Sequence, residues 1–537
     1  MASARRFSQV NIIVMHTRSL SSLAEVVIVS AVRTPIGSFG GSLAPLSCTE
    51  LGAVAVRAAV ERAGLPAPAV QEVFLGNVCS AGAGQAPARQ AALWGGLPPA
   101  TICTTVNKVC ASGLKAVMLA TQTLQVGAQS VVLAGGMESM SNVPYYLKRG
   151  ATPYGGVRLN DGIVADGLTD VYNKFHMGNC AENTARKLEI SRDAQDEYAI
   201  TSYKRSAQSY QDKVFASQIV PVSVPRKKGQ QPLIFSEDEE YKKVDFAKFS
   251  KLGTVFQKEG GTVTAGNAST LNDGAAALVL MTAEAAKEHG CTPLARVVAM
   301  QDGACLPIDF PLAPAVAIPP LLKKAGVSVG DIALWEINEA FSVVVLALQR
   351  VLELDPARVN VHGGAVSLGH PIGMSGARLV VHLVHALQPS QLGVAAICNG
   401  GGGASTLLIQ KLCDSGAGVA GAVPQLTLYT RPQCSLCDEL REQLAPFLPQ
   451  LDLSLVDITR PGSTRLFDLY KYEVPVLFFN GRYLCKHRLD TDLLKMPSVC
   501  GNECINIYNE SDSCKCGLLL LSCNCCYLRP VYIRNSL

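Results

Sequence analysis

The sequence predicts an α/β protein built from two related halves, with a second, small α/β domain after them. Three observations lead there. Apolar runs of strand length alternate with apolar-periodic stretches of helix length, which is the pattern of α/β architecture. Landmarks of the first half then recur, in order, in the second. Glu61-Arg62-Ala63-Gly64-Leu65 followed by the apolar run Val70 to Leu75 is echoed by Lys323-Lys324-Ala325-Gly326-Val327 followed by Ile332 to Ile337. Cys110-Ala111-Ser112-Gly113-Leu114-Lys115-Ala116-Val117 is echoed by Gly373-Met374-Ser375-Gly376-Ala377-Arg378-Leu379-Val380. After each of these a helix leads to a strand (Ser130 to Ala134; Gly393 to Ile397) and then to glycines, Gly135-Gly136 and Gly400 to Gly403. Such a duplication implies a pseudo-twofold arrangement that brings equivalent loops together. Beyond residue 423 a new strand and helix open around a C-x-x-C pair.

Composition narrows the function. At 537 residues the chain has room for several domains, and 48% hydrophobic with 17% charged residues is an ordinary soluble composition. A net charge of +4 is too small for this length to imply a nucleic-acid partner. No apolar run reaches spanning length, so no transmembrane helix and no membrane partner are expected. Nine cysteines precede residue 414, three lie between 430 and 490, and seven crowd into 500–526. Sparse thiols in a large first part suit a reducing interior, not a disulfide framework.

Taken in order, residues 1–24 carry Arg5, Arg6 and Arg18 among serines with no acid before Glu25, the signature of a mitochondrial transit peptide. The first half, 25–290, opens on the buried-strand pattern Val26-Val27-Ile28-Val29. Thr104 and Thr105 lead through Asn107 to Cys110, which stands at the entrance of a helix running Leu114 to Leu124. There it is either a small buried hydrophobe or a nucleophile. Unpaired N–H groups and the helix dipole would favour thiolate, and the small Ala111, Ser112 and Gly113 leave room for a substrate. An insertion at 140–265 carries Lys204-Arg205, Arg226-Lys227-Lys228 and Lys242-Lys243. These runs are either solvated faces or a lid whose cations meet phosphates. Ser236-Glu237-Asp238-Glu239-Glu240 reads as a solvated acidic turn.

The second half, 291–413, supplies partners for Cys110. Asn338 and Glu339 sit at the turn after a strand. Asn360 to Gly373 is a glycine-rich loop with His362 and His370, and Gly369 and Pro371 suit a fixed, exposed position for His370. Cys398 ends a strand before Gly400 to Gly403, where glycines let backbone N–H groups approach a ligand. Together these supply a nucleophile, a base, a second acid/base and backbone donors.

On these motifs (Asn107 to Gly113, Asn338 to Phe341, Gly369-His370-Pro371, and Cys398 with its glycines) the region 25–412 resembles thiolases. Tyr172 to Gly178 and Thr262 to Gly274 bring it nearest to the mitochondrial acetoacetyl-CoA-handling members. The resemblance implies a layered α-β-α-β-α fold. It also implies a reversible Claisen condensation of two acetyl-CoA to acetoacetyl-CoA plus CoA, and thiolysis of acetoacetyl-CoA or its 2-methyl derivative. Cys110 would carry the acyl group, His370 would deprotonate it, and Cys398 would protonate the departing enolate. N–H groups of Cys110 and Gly400 would bind one oxyanion; His370 and a water on Asn338 would bind the other. CoA would contact Tyr203, Lys243, Val244, Asp245, Lys248 and Ser269, with His176 near the pantetheine. No tightly bound cofactor is implied, but K+ is implied as an activator, held by Tyr203, Val366 and the carbonyls of Ala265, Gly266 and Ala268. A homotetramer in the mitochondrial matrix is the implied setting. His362 stands where the family usually has Asn. Other readings are a longer-chain 3-ketoacyl-CoA thiolase, or a redox or binding protein whose thiolase region is not catalytic.

Residues 414–423, rich in Gly, Ala and Ser, read as a linker. In 424–497, strand Leu426 to Tyr429 leads to Cys434-Ser435-Leu436-Cys437 at a helix start, and Val474-Pro475 enters a second strand. That order marks a thioredoxin-like redox site. The segment resembles glutaredoxin-like proteins, with Pro475 at the family's cis-proline position. Gly481-Arg482-Tyr483-Leu484-Cys485-Lys486 stands where the family has a glycine pair, which argues for dithiol exchange without glutathione. Residues 498–537 read as a disordered, Cys-rich tail.

Overall fold

Strand Val26–Arg33 (β1) is buried along its whole length. It lacks polar alternation because it is covered on both faces. Val26 and Ile28 join one apolar cluster and Val27 and Val29 another. A computed structural model describes residues 23–151, 153–413, 425–446, 452–460, 467, 470–479 and 482–487. Of the sequence expectations, nearly all of the transit segment, the 414–423 linker and the 498–537 tail lie outside the described residues. The chain forms two compact units, Met1–Gly416 and Ala417–Leu537.

In the first unit β1 is followed by α1 (Cys48–Ala63), β2 (Glu72–Gly76), α2 (Pro87–Trp94), β3 (Ile102–Val106), α3 (Ser112–Gln125) and β4 (Val131–Ser139). Helices α4 (Met177–Lys187) and α5 (Arg192–Gln211) lie in the insertion, and β5 (Asn272–Thr282) closes the half. The second half runs β6 (Ala295–Ala304), α6 (Ala313–Ala325), β7 (Ile332–Ile337), α7 (Ser342–Leu352), α8 (Ser375–Ala386), β8 (Leu392–Asn399) and β9 (Gly403–Lys411).

The sheet order is β7-β8-β9-β6-β1-β5-β4-β2-β3, with the short strand Gly37–Ser38 beside β5. The duplication expected from the sequence is visible in it. Outward from the middle the first half reads β1-β5-β4-β2-β3 and the second β6-β9-β8-β7, with a single parallel bridge, Trp335 to Val359, where β3 stands in its counterpart. Pairings match too: β2 with β4 and β7 with β8 are parallel, whereas β4 with β5 and β8 with β9 are antiparallel. Even the helix ends correspond. Gly64 after α1 and Gly326 after α6 both take φ 68, the left-handed cap that glycine adopts at least cost.

Three apolar clusters separate the layers. Helices α1 and α2 pack on one outer face, α7 and part of α6 on the other. Helices α3 and α8 are buried between the two halves, their apolar residues sharing one cluster with inward residues of both. This is the α-β-α-β-α order the resemblance implied.

Two expectations for the insertion need correction. The acidic turn is not solvated. Asp238 is fully buried and receives both Arg33 terminal nitrogens, at 2.8 and 2.9 Å, and the Ile36 N–H at 2.6 Å. Glu239 takes the Ser38 N–H at 2.7 Å and Glu240 the Asn272 amide at 3.2 Å. The cause is Arg33, a guanidinium at the end of an apolar strand, which cannot lose its charge and needs a counter-ion beside it. Arg205 likewise turns inward, donating to the carbonyls of Val359 and Asn360 at 2.7 and 3.2 Å. Arg226, Lys227 and Lys228 are exposed, as a solvated face requires.

The second unit has a four-stranded sheet, β11-β10-β12-β13, from β10 (Gln425–Thr430), β11 (Asp452–Asp457), β12 (Val476–Phe479) and β13 (Arg482–Lys486). Helix α9 (Ser435–Leu444) packs Leu440 and Leu444 onto Leu426, Leu428 and Leu477. The Val474–Pro475 bond is cis, as expected for that position. Among the described residues no helix is long and apolar enough to cross a membrane.

Candidate active site

The buried helices α3 and α8 meet at their N-terminal ends. A Cβ on Gly113 would stand 2.8 Å from the Ala377 nitrogen, and one on Gly376 2.5 Å from the Leu114 nitrogen. These two glycines are equivalent in the duplication, and only glycine lets the helix starts approach so closely.

Cys110 lies just ahead of α3, with Ala111 as the cap. Val109 before it takes φ 47, a left-handed conformation that costs a β-branched residue about 1–2 kcal/mol. Ser112 holds the turn by accepting the Lys108 N–H at 2.8 Å and donating to the Val109 carbonyl at 2.6 Å. Lys108 reaches across to the other half, 2.5 Å from Asp302 and 2.8 Å from Ser405. Cys110 is thus presented on a strained, anchored turn.

The expectation of a lowered Cys110 pKa is overturned. Burial pushes the thiol up, to about 11, ahead of the opposing pull of the Gly400 and Cys110 N–H groups. Desolvation disfavours the charged form more than two N–H dipoles favour it. Those N–H groups nonetheless bear on the sulfur, which is where the sequence placed an oxyanion pocket. Gly400 packs against the turn: a Cβ there would lie 3.7 Å from Val109 and 3.2 Å from the Met177 sulfur. Cys398, at the end of β8, is buried, and its thiol is raised by burial and by the nearby Cys110. The two thiols therefore come together from the two halves.

His370 is not exposed, as its flanking Gly and Pro suggested, but buried. Its loop is pinned by the His370 N–H on Asn272 Oδ1 at 2.9 Å. The imidazole Nδ1 lies 2.6 Å from Ser375 Oγ, and that hydroxyl donates to the Pro371 carbonyl at 2.9 Å. A hydroxyl has one proton, so Ser375 must accept from His370 Nδ1–H. Nε2 then carries the lone pair, toward Asn338 Nδ2 at 3.4 Å. Asn338 Oδ1 is buried with no partner among the described residues. Burial, then the Arg378 charge, push the imidazole down to about 3, so it is neutral at physiological pH.

Glu339, beside Asn338, is buried and saturated. Tyr198, Ser202, Asn360 and the Val366 N–H donate to it at 2.7, 2.8, 3.0 and 3.0 Å, which ties the glycine-rich loop to α5. Glu138 was not anticipated. It accepts the Val78, Cys79 and Gly373 N–H groups at 3.0, 3.2 and 2.9 Å, joining the two halves beside the site. Burial raises it to about 7.

Residues 26–284 fit the family description "Thiolase, N-terminal domain" and 291–411 "Thiolase, C-terminal domain". The chain belongs to the thiolase family. "Acetyl-CoA acetyltransferase B, mitochondrial" of Xenopus laevis is 67% identical over 391 residues, 73% of this chain and 93% of that protein. "Acetyl-CoA acetyltransferase, mitochondrial" of Mus musculus is 65% identical over 394 residues, with shares of 73% and 93%. The crystal structure of Acat5 thiolase from Ascaris suum in complex with coenzyme A is 49% identical, with TM-score 0.70, covering 72% of this chain and all of that one. Residues 425–496 fit "Glutaredoxin-like domain".

Of the other residues singled out in this thiolase, Tyr203 and Val366 share an apolar cluster with Phe249, and a Cβ on Gly266 would stand 2.8 Å from the Phe249 ring. Among the described residues the Tyr203 hydroxyl makes no hydrogen bond, and the carbonyls of Ala265, Gly266 and Ala268 accept none. Free oxygen acceptors, with Glu240 and Glu339 near enough to act on the Tyr203 hydroxyl, fit a hard cation. Ser269 is fastened to the Ala340 carbonyl, two residues beyond Asn338. His176 stacks on Phe256 at 4.7 Å, and burial lowers its pKa. Lys243 bonds Ser38 and pairs with Glu240 at 3.5 Å, while Val244 packs beside Tyr203. Lys248 pairs with Asp245 at 3.0 Å on the surface, and neither meets a catalytic residue.

In the glutaredoxin-like unit Cys434 caps α9 and Cys437 lies one turn in, its N–H on the Cys434 carbonyl at 3.0 Å. Both thiols are free and buried, and burial followed by contact with the Cys434 sulfur raises that of Cys437.

Proposed function

We infer that this thiolase is an acetyl-CoA C-acetyltransferase, condensing two acetyl-CoA reversibly to acetoacetyl-CoA plus CoA. One observation carries the reading: buried thiols of both halves, Cys110 and Cys398, come together beside the abutting starts of α3 and α8, with Gly400 packed against the Cys110 turn. Names and coverage of the relatives support the substrate.

At rest the site holds a neutral Cys110 thiol and a neutral His370. His370 Nε2 accepts the Cys110 proton as the sulfur attacks the acyl carbonyl. Ser375 keeps the receiving lone pair on Nε2. The oxyanion then lies at the N–H groups of Cys110 and Gly400, and losing one such donor would slow acylation about 100–1,000-fold. In thiolysis Cys398 protonates the departing enolate; in synthesis it removes the alpha proton of the second acetyl-CoA. A water on Asn338, with His370, serves the enolate oxygen. The high thiol pKa of Cys398 keeps a proton available for that step.

CoA lies against Tyr203, Lys243, Val244, Asp245, Lys248 and Ser269, with His176 along the pantetheine. K+ would be held by Tyr203, Val366 and the carbonyls of Ala265, Gly266 and Ala268, where it would stiffen the loops beneath CoA. The enzyme works in the mitochondrial matrix after loss of its leader, as a homotetramer. The open edge strand β3, with Ile102 exposed, supports self-association. Cys434 and Cys437, beside Pro475, exchange dithiol for disulfide.

Incubation with acetoacetyl-CoA, followed by mass spectrometry, tests the assignment. A single acetyl adduct on Cys110 is expected, with thiolysis falling as the 3-ketoacyl chain lengthens. An adduct on another cysteine removes Cys110 from the role.

A further inference from the structure

Helix α8 carries Ser375, Arg378, His382 and His385 at spacings of three, four and three, which puts them on one face of a helix that is otherwise apolar. Ser375 orients His370. Arg378 pairs with Glu336 at 2.9 Å, and His385 bonds the Ala31 carbonyl at 2.8 Å. His382 has no evident part in the chemistry, yet its hydrogen bonds have a definite direction.

That direction starts at Arg33, which can only donate. Its Nε gives a hydrogen bond to Gln218 Oε1 at 3.0 Å, while its terminal nitrogens are on Asp238. The Gln218 oxygen therefore faces Arg33, and its NH2 group faces His382 Nδ1 at 3.1 Å. Nδ1 must be the lone pair, so the His382 proton sits on Nε2. Nε2 lies 3.0 Å from His362 Nδ1 and 3.8 Å from Glu336, too far for a hydrogen bond. The chain Arg33, Gln218, His382 thus ends by donating to His362.

His362 opens the turn that leads to His370. Gly363 and Gly369 bracket that stretch at φ 83 and 107. A Cβ on Gly363 would strike Ser206 Oγ at 2.0 Å and one on Gly364 the Glu339 carboxyl at 2.4 Å, so the turn has little slack.

We propose that His382 is a positioning residue for the catalytic loop: by donating to His362 it holds the loop's start on the same helix face that, through Ser375, holds His370 at its end. This rests on His370 being the base.

The chain from Gln218 to His362 is complete only while both rings are neutral. A proton on His362 Nδ1 would face the Nε2–H of His382, and one on His382 Nδ1 would face the NH2 of Gln218. Burial holds both rings below the usual imidazole range. His382 is pushed further down, well below that range, facing His362, Arg378, Arg33 and His385, with Glu336 at 3.8 Å. His362 faces Arg205 and Asp212. On acidification His362 takes its proton first.

The test uses the purified full chain with acetoacetyl-CoA and CoA. His362→Ala should lower kcat about tenfold with KM within twofold, and His362→Asn, which restores an acceptor, should return kcat to within threefold. Wild-type kcat in His362→Ala, or His362→Asn as slow as His362→Ala, overturns the proposal. Should His362→Ala not fold, the acid limbs decide. His362→Asn should lose kcat at lower pH than the wild type, and coincident limbs overturn the proposal. His370→Ala separates the premise: if it acetylates Cys110 at the wild-type rate, the base assignment fails, whatever the His362 variants do.

Discussion

Ser375→Ala isolates one hydrogen bond. The Ser375 hydroxyl is buried, accepts from His370 Nδ1–H at 2.6 Å and donates to the Pro371 carbonyl at 2.9 Å. Removing it leaves Nδ1–H unsatisfied in the reactive tautomer, a penalty of about 1–3 kcal/mol. The other tautomer escapes that penalty once the Asn338 amide turns over, because its Nε2–H can then donate to Oδ1, which otherwise has no partner among the described residues. The ring therefore shifts toward the form whose Nε2 cannot accept the Cys110 proton. Acylation should slow roughly 5–150-fold, the rate equivalent of that penalty. CoA contacts are untouched, so KM should hold. Rapid-quench mass spectrometry of the Cys110 acetyl adduct measures the step directly. A Ser375→Ala enzyme that acylates at the wild-type rate, with unchanged thermal stability, refutes the tautomer assignment.

Cys398→Ser should still acetylate at Cys110 but exchange the alpha protons of acetyl-CoA poorly, because serine is a far weaker acid; unchanged deuterium exchange would exonerate Cys398. Arg33→Met strands the buried Asp238 carboxylate and should destabilise the first unit by roughly 3–5 kcal/mol in denaturant titration. A loss under about 1 kcal/mol would mean that the site admits water. His370, held at about 3, refuses a proton that the unfolded chain accepts near pH 6.5, as does His382. The histidine contribution should therefore be complete above about pH 6.5 and fall with acid, by up to roughly 1.4 kcal/mol per pH unit for each such histidine, opposed by Glu138 and Glu336, which burial raises to about 7. An NMR titration in which either imidazole takes up a proton between about pH 6.5 and 5 in the folded protein would contradict neutral burial. A chain ending at Cys413 should keep full thiolysis, since every catalytic residue precedes it; loss of activity would show that the two units are coupled.

The sequence disclosed the duplication because glycines and small residues mark it at fixed spacing. Gly113 and Gly376 turned out to be the contact between the halves. Cys110, His370 and Cys398 stood out as candidates because reactive residue types stand beside glycines in turns. What stayed hidden depends on partners distant in the chain. Asp238 looked solvated because its partner lies 205 positions earlier. Glu138 gave no sign that it would accept from both halves. The clue available was a charge within an apolar run: Arg33 ending β1, and Arg378 with His382 inside α8, each imply a buried partner. The direction of the Cys110 pKa was misread because helix entry was weighed without the depth of burial.

The position of β1 governs how the chain must be made. It pairs with β5, from Val26 opposite Thr282 to Arg33 opposite Ala276, and with β6 through Val27 and Ile28. Neither neighbour exists when β1 leaves the ribosome. Some 240 residues separate them, about 12–50 s of synthesis at 5–20 residues per second. Throughout that interval an eight-residue strand, apolar on both faces, has both edges open. The parallel β2–β4 pairing, by contrast, joins strands that leave the ribosome within about 70 residues of each other. Until β5 and β6 arrive, β1 is the stretch of the first half most open to pairing with another chain.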